Sequence, residues 1–190
     1  KVWSSTFNPR SLSARKQRNL PLESDPVGVA VLQMVNARSA GVLFTADPNT
    51  GDTSRMIVEA NWGLGESVVG GEAMPDVFIV EKESSKVVER RLGTKGRCIV
   101  FQDKGVAEVE TPPDKRSSFC LKDEEIKEIA RLGKALEAHF GVPQDAEWAV
   151  DEDRTFPESV ILLQTRPEII AKQKAPVDQV IDMMLTRFGS

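Results

Sequence analysis

The sequence predicts an α+β protein, mainly antiparallel sheet with flanking helices. Short β-branched runs outnumber helical patterns, several of them are spaced as in an antiparallel meander, and only two long stretches carry a helical apolar stripe. With 190 residues, 40% of them apolar, the chain can bury a substantial core.

In chain order, Val27 to Val35 (VGVAVLQMV) and Ala40 to Ala46 (AGVLFTA) flank the polar turn Asn36 to Ser39, which predicts a hairpin. Asp47-Pro-Asn-Thr-Gly-Asp52 is a turn by composition, and Arg55 to Ala60 is the next strand. The glycine-bearing stretch Asn61 to Gly71 predicts a short helix. Val77 to Val80, Lys86 to Arg90, Arg97 to Phe101 and Val106 to Val109 read as four strands of a meander. From Asp123 to Phe140, Ile126, Ile129, Leu132, Leu136 and Phe140 recur at helical spacing, with acids at the start and Gly141 and Pro143 after the end. Ala146 to Val150 and Val160 to Gln164 are two more strands. Pro176 to Phe188 closes the chain with a second amphipathic helix, packing within the domain or docking elsewhere.

Composition narrows the function. Lys and Arg number 25 against 29 Asp and Glu, and a pI near 5.2 argues against a nucleic-acid or membrane partner while leaving small anions open. Cys98 and Cys120 form no CxxC pair, and with one histidine they cannot make a zinc cluster of the usual spacing; the expected compartment is a reducing cytoplasm. The first twenty residues hold Lys1, Arg10, Arg15, Lys16 and Arg18 and no acid, a transit-peptide texture. Trp3, Phe7 and Pro9 favour part of a fold instead, and a first residue other than Met reads as a fragment or a processed chain.

The chemistry concentrates in QDAEWAVD (144–151) and ILLQTRPE (161–168). Alternation in a strand puts Asp145 and Glu147 on one face and Trp148 and Val150 on the other. Gln164 and Arg166 share a face of the second strand, and the short loop between the two makes them antiparallel neighbours. A carboxylate, an amide oxygen and a guanidinium then converge. That set suits a magnesium nucleotide, because Mg²⁺ takes hard oxygen ligands and the planar Arg fork fits phosphate. An exposed polar sheet face with an arginine–acid pair would have the same pattern. An edge strand at Leu32 to Val35 could likewise offer adenine a backbone donor and acceptor, or be ordinary core.

DAEWAVD, LLQTRPE, VLQMV with SAGVLFTADPNTGD, and VEANWGLGESVVGGEAMPD, in this order, resemble the ATP-binding module of phosphoenolpyruvate synthases and pyruvate phosphate dikinases, to which rifampicin phosphotransferases and phenylphosphate synthases are related. The resemblance implies an ATP-grasp fold, of which this chain is the C-terminal lobe: an opening segment (1–26), the lobe (27–170) and a C-terminal helix (171–190). It implies that Gln33 and the backbone of Met34 and Val35 meet adenine, that Glu147 and Gln164 hold Mg²⁺, and that Arg166 binds the transferred phosphate, with Asp145 assisting and Glu59 or Glu66 close to the phosphates. ATP and Mg²⁺ are the implied cofactors. The implied partners are a first ATP-grasp lobe and a phosphohistidine domain, in the same polypeptide or another subunit, so this chain alone is expected to be inactive.

The resemblance leaves the phosphoryl acceptor open among pyruvate, a phenol and an antibiotic hydroxyl. Competing readings are an interaction or regulatory module that keeps the fold without using the nucleotide, the ATP-binding subunit of a phenylphosphate synthase-like enzyme, and an ATP-grasp carboxylate ligase. His139, on the long helix beside its apolar seam, reads as structural. The lone GxG of Asn61 to Glu66 is too short for a dinucleotide fingerprint.

Overall fold

A computed structural model describes residues 2–23, 28–69, 74–102 and 105–168. The chain divides into two compact units, Lys1–Met34 and Val35–Ser190. In the first, a 3-10 turn (Trp3–Phe7) precedes helix α1 (Pro9–Gln17). Asn8 caps α1 by accepting from the Ser11 N–H at 2.8 Å, and Pro9 opens it where no intrahelical donor is required. The Arg15 side chain is buried and donates to the carbonyls of Thr6 and Pro21. No helix among the described residues is long and apolar enough to cross a membrane.

The second unit is built on a six-stranded antiparallel sheet of order β4-β3-β2-β1-β7-β8. Its strands are β1 (Ala37–Phe44), β2 (Arg55–Trp62), β3 (Asp76–Glu81), β4 (Val87–Arg91), β7 (Gln144–Asp151) and β8 (Val160–Pro167). A separate two-stranded sheet holds β5 (Arg97–Gln102) and β6 (Gly105–Glu110). The expected meander is thus two hairpins in two sheets. The hairpin expected of Val27 to Val35 does not form: residues 28–36 are irregular, with Val31 95% and Leu32 79% exposed. Both edges of β1 are taken, by β2 and β7, so the preceding run has no edge to pair with.

One face of the sheet is core. Leu43, Met56, Val58, Phe78, Val80, Trp148 and Val150 project from it toward helix α4 (Asp123–Phe140), which follows the four-residue helices α2 (Glu66–Val69) and α3 (Pro113–Arg116) and whose Ile126, Ile129 and Ala130 are fully buried. The helix has the predicted bounds, but its buried seam is centred on Ile126, Ile129, Ala130 and Gly133, while Leu136 is half-buried and Phe140 half-exposed. Gly133 is needed where α4 crosses β1, since a Cβ there would stand 2.5 Å from Leu43 Cδ2. Glu125 accepts from the Lys122 N–H at 2.8 Å and pairs with Arg38 of β1, tying the helix start to the sheet. Gly141, at φ 72°, ends the helix in the left-handed region. The stripe expected at Pro176 to Phe188 lies outside the described residues.

Candidate nucleotide and metal site

The other face of the sheet is acidic at its centre. β7 and β8 pair antiparallel, with Glu147 opposite Gln164 and Asp145 opposite Arg166. Register carries the row on across β1 to β2, because Glu147 faces Val42 and Val42 faces Glu59. Glu59, Val42, Glu147 and Gln164 therefore lie side by side on four strands, with Asp145 and Arg166 one row along. The sequence brings all six together through two-residue alternation on strands of fixed register.

Arg166 is committed to Asp145 in this arrangement: Nε and one terminal nitrogen reach Oδ2 at 2.8 and 2.7 Å. That bond stabilises the charged guanidinium and moves its pKa upward. Glu147 and Gln164 make no side-chain hydrogen bond among the described residues. A carboxylate and an amide oxygen left unengaged in adjacent register positions fit a hard cation that keeps part of its coordination for phosphate and water. Glu59 adds a half-buried carboxyl whose pKa burial drives upward. Its place in the row was not legible from the glycine-rich motif that follows it; only the β1–β2 register shows it. Glu66 is exposed at the start of the short helix α2 (Glu66–Val69) and is outside the row.

Two residues beyond Arg166, Glu168 fastens the end of β8. Its N–H donates to the Pro143 carbonyl at 2.9 Å, and its Oε2 accepts from the Ala46 N–H at 3.1 Å. Oε1 is buried without a hydrogen-bond partner among the described residues. Burial pushes the carboxyl up to about 7 against the opposing Ala46 bond, and the Asp145 charge adds to the rise.

The expected adenine hinge straddles the boundary between the units. Gln33 and Met34 are exposed and end the first; Val35 is half-buried, begins the second and accepts from the Ala37 N–H at 2.9 Å. No strand runs through them: the expected edge strand is irregular backbone. His139, expected beside the apolar seam, is exposed in the last turn of α4 with its ring edge-on to Phe140. Cys98 and Cys120 are buried free thiols, and burial together with the Asp76 carboxylate drives the Cys120 pKa far up.

Comparison with known proteins places these residues in a family. The chain is 37% identical to a probable phosphoenolpyruvate synthase of Staphylothermus marinus over 191 residues, and 35% identical to another of Archaeoglobus fulgidus over 182. The alignments cover 90% and 95% of this chain and 23% of each relative. It is 34% identical to an uncharacterized phosphotransferase of Bacillus subtilis, over 97% of this chain and 22% of that protein. The chain thus spans less than a quarter of the length of these relatives. A family model described as the pyruvate phosphate dikinase AMP/ATP-binding domain matches residues 1–185, and the chain belongs to that ATP-binding family.

Proposed function

We propose that this chain is the Mg·ATP-holding lobe of a phosphoenolpyruvate synthase-like phosphotransferase that passes phosphate to a histidine on a separate domain. The observation that carries the reading is the pairing of Glu147 with Gln164 and of Asp145 with Arg166 on one sheet face.

In this reading Glu147 and Gln164 hold Mg²⁺ and Glu59 flanks it from β2. Bound there, Mg²⁺ neutralises phosphate charge and orients the phosphate oxygens. Arg166 stabilises the oxygens of the transferred group, and Asp145 fixes the guanidinium plane before substrate arrives, so little reorganisation is left for the reaction. Gln33, Met34 and Val35 meet adenine. The first ATP-grasp lobe and the phosphohistidine domain complete the enzyme from elsewhere in the polypeptide or from another subunit. The length of the relatives supports this, since they extend far beyond the matched region. Pyruvate as acceptor is supported by the phosphoenolpyruvate synthases among them.

The test is an NMR titration of the chain with a non-hydrolysable ATP analogue, which reads millimolar affinities, with and without Mg²⁺. The expected result is Mg²⁺-dependent shifts at Glu147, Gln164 and Arg166 that disappear in Glu147→Ala. Equal binding by wild type and Glu147→Ala, or no binding at all, overturns the reading.

A further inference from the structure

β2 runs on to Trp62 beside β1, but its pairing with β3 ends where Ala60 faces Asp76, so Asn61 and Asp76 stand at the two roots of the connection between β2 and β3. Both roots are held by fully buried polar side chains. Asn61 sits two residues beyond Glu59, on the same face. Its amide donates to Ser67 Oγ at 3.0 Å and to the Arg97 carbonyl at 3.0 Å, and its Oδ1 accepts from the Trp62 N–H at 2.8 Å. At the other root, Asp76 Oδ1 accepts from the Gly93 N–H at 2.8 Å and from Lys95 Nζ, while Oδ2 accepts from the Cys120 N–H at 2.9 Å. Lys95 in turn donates its backbone N–H to the Met74 carbonyl at 3.2 Å. Both roots are therefore clamped to one short linker, residues 93–97.

What Asn61 holds is a turn packed on the same face as the acidic row. Leu64, Ser67 and Val68 are buried, and Gly65 stands over β1: a Cβ added to it would lie 3.7 Å from Ala40 Cβ. Ala40 is the register partner of Asn61 and lies one row from Val42, the residue between Glu59 and Glu147. The turn and α2 thus pack on the sheet at Ala40, one row from Glu59, Val42, Glu147 and Gln164. A buried polar side chain with three hydrogen bonds, one of them to Ser67 of α2, does more than fill the core, since an apolar residue could fill the same volume without needing any partner.

We infer that Asn61, through Ser67, is a positioning residue for the nucleotide site: it fixes the Gly65–α2 wall against β1 and so sets the width of the groove that receives the phosphates beside Glu59 and Glu147. The inference rests on the proposed Mg·ATP site. Removing the hydroxyl in Ser67→Ala, or the amide in Asn61→Ala, loosens that wall while leaving every carboxylate of the row in place.

The experiment titrates wild-type chain, Ser67→Ala, Asn61→Ala and Glu147→Ala with Mg²⁺ and the non-hydrolysable ATP analogue by NMR, at a temperature where the core amides of Val80 and Trp148 keep their native shifts. The expected result is a rise of roughly tenfold in Kd for both wall variants, the low end of what groups supporting a ligand residue cost, with Mg²⁺ dependence retained. A merely structural role lowers the melting temperature and leaves Kd unchanged in the folded protein, and that outcome overturns the inference. Ser67→Ala decides the matter if Asn61→Ala fails to fold. Failure of the underlying reading looks different: Glu147→Ala then binds like wild type, or no variant binds.

Discussion

Glu147 on β7 and Gln164 on the edge strand β8 are register partners, and the ladder slips immediately beside them: Trp148 pairs with Leu162, leaving Leu163 as an extra residue on β8. The bulge lets Trp148 stay fully buried in the core while Gln164 remains aligned with Glu147. Glu147→Gln keeps the size and removes the charge. The expected outcome is Mg²⁺-dependent nucleotide affinity at least tenfold weaker, about 1.4 kcal/mol, with an unchanged melting temperature. A melting temperature that drops while affinity holds would make Glu147 a structural residue.

Arg166 and Asp145 separate phosphate binding from stability. The arginine side chain is 64% exposed, so its bond to Asp145 contributes little to folding, about 0–1 kcal/mol. Arg166→Lys keeps the charge and loses the planar fork that reaches Asp145 through two nitrogens. Denaturant unfolding is expected to stay within about 0.5 kcal/mol of wild type, as for other exposed positions, while affinity for the ATP analogue falls and affinity for adenosine does not. Equal losses for both ligands would show that Arg166 acts away from the phosphates.

Much of this face was legible in the sequence because strand alternation puts Asp145 and Glu147 on one face of QDAEWAVD and Gln164 and Arg166 on one face of ILLQTRPE, and the short loop between them makes the two strands neighbours. The helix from Asp123 to Phe140 was equally legible, with acids at its start and Gly141 at its end. Two things were not. Glu59 joins the row through β1, and pairing between distant strands leaves no mark in local pattern. The run Val27 to Val35 has the composition of a strand, yet pairing depends on a free neighbouring edge, and β1 has none.

Glu168 predicts a pH dependence. An acid whose folded pKa is raised favours the protonated form in the native state, so its contribution is undiminished below the unfolded value near 4.5 and is lost as pH rises through about 7. Ionisation places charge on a carboxyl whose buried Oε1 has no hydrogen-bond partner among the described residues, beside the Asp145 charge. Glu168→Gln keeps the acceptor for the Ala46 N–H and removes that penalty. Its stability relative to wild type is expected to improve between pH 5 and 8, as read by melting at each pH. A difference that stays flat with pH removes the carboxyl from the account.

Two glycines predict costs of different size. A Cβ on Gly133 meets the tip of the Leu43 side chain, which can shift within a packed core, so Gly133→Ala is expected to cost about 1–3 kcal/mol. A Cβ on Gly41 would lie 1.8 Å from the backbone oxygen of Glu59, which moves only if the β1–β2 pairing opens. Gly41→Ala is expected to destabilise more and, because Glu59 is carried on the displaced strand, to weaken Mg²⁺-dependent binding in whatever fraction folds. Equal unfolding midpoints for the two variants would contradict this ordering.

The fully buried pair of Lys95 with Asp76 gives the sharpest contrast between breaking an interaction and replacing it. Lys95 holds its backbone at φ 42° and bonds Asp76 and the Gly93 carbonyl through Nζ. Lys95→Met leaves the Asp76 carboxylate with two backbone N–H donors and no counter-charge, a loss of about 3–5 kcal/mol by the measure of other broken buried pairs. Adding Asp76→Asn removes the stranded charge and keeps an oxygen for the Gly93 or Cys120 N–H. The double variant is therefore expected to be more stable than Lys95→Met alone in urea unfolding. If it is less stable, Asp76 stabilises the fold through its bonds to Gly93 and Cys120 rather than through Lys95, and the clamp on the β4–β5 linker is a hydrogen-bond device in which the ion pair is secondary.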